Sequence, residues 1–137
     1  MADSIRKADY FVVKVPNTAG QGARLLGALR DAGVDLVAFT GFPAAGGAQV
    51  DFVPANSAAF RVAARKLKLK ISQRKTVFVV RGSDRVGAIA RICEKLAAAK
   101  INMVAMDAVT AGGGRYGAIF WVKPDKVARA AKVLGAR

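Results

Sequence analysis

DRVGAIARICEKLAAAKINMVAMD, residues 84–107, has an earlier counterpart in the same chain: residues 17–40, NTAGQGARLLGALRDAGVDLVAFT. Asn17 aligns with Asp84, Gly20 with Gly87, Leu29 with Leu96, Asp35 with Asn102 and Ala38 with Ala105, each pair 67 residues apart (84 less 17, and so through the series). A constant offset held over a whole supersecondary unit is an internal repeat. The pattern within each copy is a capped turn, an amphipathic helix and an apolar strand.

Outward from the first copy, residues 10–15 (YFVVKV) read as a buried strand, rich in β-branched and aromatic side chains. Asn17 or Thr18 can accept from a free amide where the helix of residues 21–32 begins, and Gly33 ends that helix. Gly22, Leu25, Leu26 and Leu29 recur at i, i+3, i+4 and i+7, one apolar face. Residues 34–39 and 48–53 are strands around the glycine-rich turn 41–47, with Val50 and Phe52 on one face and Gln49 and Asp51 on the other. A helix follows, capped near Asn56 and faced by Phe60, Ala63, Ala64 and Leu67; the alternation of residues 68–71 (KLKI) then predicts a short half-exposed strand.

The second copy repeats this order. Residues 76–81 are its first strand, and Ser83 and Asp84 form the turn and cap. Ile89, Ile92, Cys93 and Leu96 face one helix, residues 101–106 and 116–122 flank the hairpin at 110–114, and Val127, Ala130, Ala131 and Leu134 face the last helix. The copy then stops at Arg137 without a final strand, leaving a sheet edge that another chain or segment must cover. The expected class is α+β: two ferredoxin-like βαββαβ units, residues 9–73 and 75–137, the second lacking its last strand, with antiparallel sheets and helices on one face.

Composition narrows the function. A hydrophobic content of 53% is ample for a core. A single cysteine excludes a disulfide framework, and with no signal-peptide h-region or membrane-length apolar run the chain is expected to be cytoplasmic. The absence of histidine removes the usual acid–base group, and no nucleophile, paired carboxylates or metal-ligand cluster takes its place; no enzyme, cofactor or metal is expected. Cys93, Met103 and Met106 read as packing residues. The 23 basic against 9 acidic residues, net +14, favour acidic partners. The basic run of Arg65, Lys66, Lys68, Lys70, Arg74 and Lys75 reads first as a solvated edge and second as a phosphate track.

These residues resemble the ACT domain family. Its pattern is a strand, then Asp/Asn-x-x-Gly opening a helix, then an aliphatic residue and Asn at the next strand. Asp84, Gly87, Ile101 and Asn102 match it, as do Asn17, Gly20 and Val34, with Asp35 where Asn is common. Ala19 and Val86 depart from the proline often found before the loop glycine. The resemblance covers nearly the whole chain and implies a small tandem ACT protein, a homodimer that binds an amino acid or other small carboxylate and regulates a partner such as an enzyme.

In that family the loop of one unit faces the start of the second strand in its partner unit, so the resemblance implies two unequal sites. One combines Asn17, Thr18, Gly20, Gln21 and Gly22 with Asn102, where amides suit a carboxylate. The other combines Asp84 and Gly87 with Asp35, where two carboxylates repel an anion. If each copy instead pairs with its own copy in a second chain, Asn17 faces Asp35 and Asp84 faces Asn102. The alternative is an RNA-recognition motif, which shares the element order. Residues 77–82 and 115–120 resemble its RNA-contact strands, although Ala118 stands where a second aromatic is usual.

Overall fold

The computed structural model describes residues 3–137. The order is β1 (Ser4–Val15), α1 (Gln21–Asp31), β2 (Leu36–Ala44), β3 (Gly47–Pro54), α2 (Ser57–Lys66), β4 (Lys75–Ser83), α3 (Ala88–Ala98), β5 (Met103–Gly112), β6 (Arg115–Val122) and α4 (Val127–Leu134), with one 3-10 turn at Pro124–Lys126. The chain divides into two compact units: Asp9–Lys75, and Thr76–Arg137 together with residues up to Ala8. The ferredoxin-like α+β class expected from the repeat is observed, with six strands and four α-helices among the described residues.

In the first unit, β3 pairs antiparallel with both β1 and β2, and Phe52 stands opposite Phe11 on one side and Phe39 on the other. Phe11, Val13 and Phe52 meet Leu25 and Leu29 of α1 and Phe60 and Ala63 of α2 in a closed core. The Phe11 and Phe60 rings stack with centroids 5.0 Å apart, and Phe52 lies 5.8 Å from Phe60. Each fully buried Phe contributes about 1.5–3 kcal/mol over its exposed state. Asn56 caps α2 as expected, its side chain accepting from the Ala59 amide at 2.9 Å.

The second unit repeats the plan with order β4-β6-β5. Phe78 stands opposite Phe120, and their rings stack at 4.9 Å over Ile92 and Leu96 of α3 and Ala130 and Ala131 of α4. The strand missing from the second copy is supplied by the N-terminal part of β1, residues 4–8, which belongs to this unit and flanks β4. Ile5 packs against the core, the Lys7 amide donates to the Arg137 carbonyl at 3.0 Å, and the Arg137 amide donates back to Ile5 at 3.4 Å.

Three details differ from expectation. β1 begins at Ser4, six residues early, because its first half serves the second unit. β2 and β5 start later and run further into their glycine-rich hairpins, leaving turns only at Ala45–Gly46 and Gly113–Gly114. The expected strand at 68–71 is a single bridge between Val13 and Ile71. Lys68 there has a left-handed backbone (φ +55°) that closes α2, with the Lys68 amide donating to Arg65 and the Leu69 amide to Ala64. This winding ends a helix rather than starting a strand, and it leaves Leu67 38% exposed instead of in the core.

Lys100 closes α3 in the same conformation (φ +58°), while Gly33 and Gly135 occupy the equivalent positions of the other copies. A side chain with a Cβ in this region costs roughly 1–2 kcal/mol, partly offset by the flexibility a glycine brings to the unfolded chain. Lys68→Gly and Lys100→Gly should each therefore stabilise the fold by about 0.5–1 kcal/mol, read as a higher urea midpoint at unchanged slope.

Candidate ligand-binding site

Val15 ends β1 where Pro16 cannot continue the ladder, and the chain turns through Asn17–Thr18–Ala19 into α1. Gly20 takes the N-cap position at φ +92°, and Gly87 takes it at φ +82° in the second copy. These angles are the physical reason for both glycines, since a Cβ at either would meet nothing within 4 Å but would be strained. The expected side-chain caps do not form: neither Asn17, Thr18, Ser83 nor Asp84 caps its helix. With the N-cap displaced to the glycine, three residues past Asn17 and Asp84, these side chains stand off from the helix start.

In the first copy that displacement leaves donors in hand. The Gln21 amide donates weakly to the Thr18 carbonyl at 3.4 Å and the Arg24 amide to Gly20 at 2.9 Å, while the Gly22 and Ala23 amides find no backbone acceptor among the described residues. Unpaired amides at the positive end of a helix suit an anion. The turn opens on a cleft of about 260 Å³ that also takes in Leu25. Asn17, Thr18, Gln21 and Gly22 line one side; Phe42, Pro43 and Gln49 of the β2–β3 hairpin line the other. Arg24 donates to the Gln21 side-chain oxygen Oε1 through Nε and Nη2 at 3.0 and 2.9 Å.

Sequence reasoning missed the hairpin wall. An available signal was Phe42, an aromatic within a glycine-rich turn, which is 43% exposed in the structure. Behind the wall, Gln49 donates to Asp51 at 2.9 Å. Asp51 is the one buried charged side chain among the described residues, and burial pushes its carboxyl above the usual range against the pull of Gln49 and Lys75.

The second copy keeps the same helix start, the Ala88 amide donating to the Arg85 carbonyl at 3.3 Å and the Arg91 amide to the Gly87 carbonyl at 3.2 Å, but it fastens the turn before the helix. The Asp84 amide is occupied, donating to the Gly114 carbonyl at 2.8 Å. Arg85 reaches back to Asp3, its Nη1 and Nη2 each 3.2 Å from a carboxylate oxygen, and Nη1 also donates to the Ser83 carbonyl at 2.9 Å. Burial is the largest influence on the Asp3 carboxyl and would raise it, but Arg85, Tyr116 and the Arg91 charge together hold it below the ordinary value. Beside it, the Tyr116 hydroxyl is pushed up to about 12, first by burial and then by the Asp3 carboxylate.

Asp35 and Asn102 lie just before β2 and β5. Asp35 accepts from the Leu36 amide at 3.1 Å through its side chain and from Ala55 at 3.0 Å through its carbonyl. The antiparallel register puts each of them at the opposite end of its own unit's sheet from that unit's turn. A single unit therefore does not bring turn and strand start together.

The aromatics that suggested an RNA-recognition motif point the other way. Phe78 and Phe120 are fully buried against the helices and Tyr116 is 7% exposed, so no base-stacking platform is presented by them. The basic run from Arg65 to Lys75 lies on the end of α2, the following loop and the first residue of β4, exposed, with Arg74 4.0 Å from Asp9. Cys93 is half-buried, and Met103 and Met106 pack against the core. Among the described residues no group of three metal-ligating side chains comes together, and no helix is long and apolar enough to cross a membrane.

The chain matches no known family and no curated protein. Solved structures do resemble it. A protein from Bacteroides thetaiotaomicron superposes with a TM-score of 0.73 at 14% identity, over 95% of this chain and 88% of that one. The ligand-free regulatory subunit of aspartate kinase from Thermus thermophilus gives 0.63 at 12%, over 98% and 95%. Aspartokinase III from E. coli, solved with aspartate and ADP, gives 0.59 at 12%, over 97% of this chain and 32% of that one. At these identities the likeness concerns the fold, which is ACT-like.

Asp51 supplies a test of the wall behind the cleft. Because its carboxyl is raised in the folded state, that state holds its proton longer than the unfolded chain does. Stability from this group is full below the unfolded value and is lost as pH rises through the folded one. Asp51→Asn removes the buried charge and keeps an acceptor for Gln49. Its melting temperature should exceed the parent's at pH 7, and the gain should vanish near pH 3.

Proposed function

We propose that the chain is a non-enzymatic regulatory protein that binds a small carboxylate-bearing ligand, an amino acid in the first instance, at the turn opening α1. One observation carries this reading. The Gly22 amide, which has no backbone acceptor, and the turn residues Asn17, Thr18 and Gln21 line a cleft with an apolar wall. A carboxylate meets the helix-start donors, and a side chain lies along Phe42 and Pro43. At about 260 Å³ the cleft is smaller than the roughly 300–1,000 Å³ typical of drug-sized ligands, which suits a metabolite of a few heavy atoms.

In the pairing that the family resemblance implies, this turn works with Asn102, and Asp84 and Gly87 work with Asp35 at a weaker site. The occupied Asp84 amide and the tethered Arg85 support the same ranking. The regulatory subunits of aspartate kinase that share the fold lend precedent for a protein acting in trans, here as a cytoplasmic homodimer on an enzyme partner. The buried Phe78 and Phe120 disfavour RNA binding on the sheet.

A thermal-shift screen against the twenty amino acids tests the reading. A ligand present at 100 times its Kd should stabilise the folded state by about 2.7 kcal/mol. One or a few amino acids should raise the melting temperature, and Asn17→Ala should abolish the shift. Asn102→Ala reads the proposed pairing separately. No shift with any amino acid would sink the ligand class.

A further inference from the structure

The second unit carries an open surface cleft of about 510 Å³ that the proposed function does not use. It lies between the N-terminal segment, the turn before α3, and helices α3 and α4. Three cations line it, Arg85, Arg91 and Lys95, against one carboxylate, Asp3. Ile5, Ile92 and Leu134 supply apolar surface, and all three also pack on the unit's core.

The cations are not equivalent. Arg85 is engaged: both its terminal nitrogens meet Asp3, and one also meets the Ser83 carbonyl. The Asp3 side chain is only 10% exposed, so this pair is a fixed wall of the cleft rather than a loose surface contact. Arg91 and Lys95 sit one turn apart on α3, which places their side chains on one face of the helix. Among the described residues neither makes a hydrogen bond or ion pair, though the Arg91 charge is near enough to Asp3 to help hold its carboxyl down. Two like charges held this close repel each other, by a few tenths of a kcal/mol at i, i+4 spacing. An anion between them removes that cost and gains charge-assisted hydrogen bonds.

We infer that this cleft is a second ligand site, one for a small organic dianion. Arg91 and Lys95 take the anionic oxygens, Ile92, Ile5 and Leu134 cover a short carbon body, and Asp3 receives a donor at the far end. Asp3 also sets a limit. Its charge repels a ligand with anionic groups at both ends of a long body, so the charges belong at the α3 side. A vicinal dicarboxylate and a phosphate monoester share this chemistry. The site does not depend on the cleft of the first unit. Its occupation tightens the N-terminal strand, because Asp3 and Ile5 flank that strand's entry into the sheet.

Isothermal titration calorimetry of the full chain with malate and, separately, with glycerol 3-phosphate, each of which carries a hydroxyl donor for Asp3, distinguishes the two sources. One of them should bind saturably with a Kd below about 1 mM. Arg91→Gln and Lys95→Gln keep good helix formers at exposed positions. Each should weaken binding about tenfold, the scale of one lost charge-assisted hydrogen bond. Lys123→Gln removes the same charge from an exposed position outside this cleft and should leave the Kd unchanged, as should Asn17→Ala. Amide exchange at Lys7 should slow when the ligand is bound. Overturning results are an unsaturable response, equal weakening by Lys123→Gln, or unchanged affinity in the Arg91→Gln, Lys95→Gln double variant.

Discussion

The backbone hydrogen bonds of Arg137 with Lys7 and Ile5, and the ion pair between Asp3 and Arg85, fasten the N-terminal segment to the second repeat: that repeat is one strand short, and residues 4–8 fill the place. The second unit is thereby discontinuous in sequence, with the whole first unit lying between its first strand and β4. Its sheet edge beside β4 is covered without a second chain. Gly82 shows how closely the segment is fitted. A Cβ there would run into the Asp3 carboxylate and come 2.6 Å from the Tyr116 ring. Contacts of this sequence separation are slow to form, because loop closure must precede them. The first unit, built from contiguous residues, is free of that delay.

The same clasp separates the fates of two turns that began as copies. Both place a glycine at the N-cap with a left-handed backbone, and both displace the side chains that would ordinarily cap. In the first copy the freed donors open on a cleft. In the second, Arg85 is drawn to Asp3 and the Asp84 amide to Gly114, so the turn is fastened rather than open. Duplication preserved the scaffold while charge on a distant segment redirected one of its turns. The cations left over on α3, Arg91 and Lys95, line a different cleft in that unit.

Much of the fold was legible because it rests on periodicity. Leu25 and Leu29, Phe60 and Ala63, Ile92 and Leu96, and Ala130 and Ala131 are buried where the helical spacing puts them. The errors have local causes. KLKI alternates like a strand, but Lys68 adopts the left-handed conformation that ends α2, and alternation carries no record of backbone handedness. Pro43 lies within β2 rather than in a turn because β2 is an outer strand of its sheet, where a missing amide costs no ladder bond. Residues 4–8 carry no apolar run of their own and become a strand only through partners supplied by the other end of the chain.

The candidate site was legible in half. The turn of residues 17–22 announces itself by repetition, and its glycine has a conformational reason that sequence spacing signals. The opposite wall depends on which hairpin lies beside the turn, a matter of sheet order rather than of motif. Likewise the clasp between Asp3 and Arg85 joins residues 82 positions apart, and nothing in either neighbourhood marks the other as its partner.

The most direct measurement is an amide NMR titration of the full chain with the amino acid that raises its melting temperature most. Ligand at the turn opening α1 predicts saturable shifts at Thr18, Gly20, Gln21, Gly22 and Ala23, with Phe42 and Gln49 following on the same curve. Saturable shifts confined to residues away from this turn and hairpin, or none at all at saturating ligand, would contradict it.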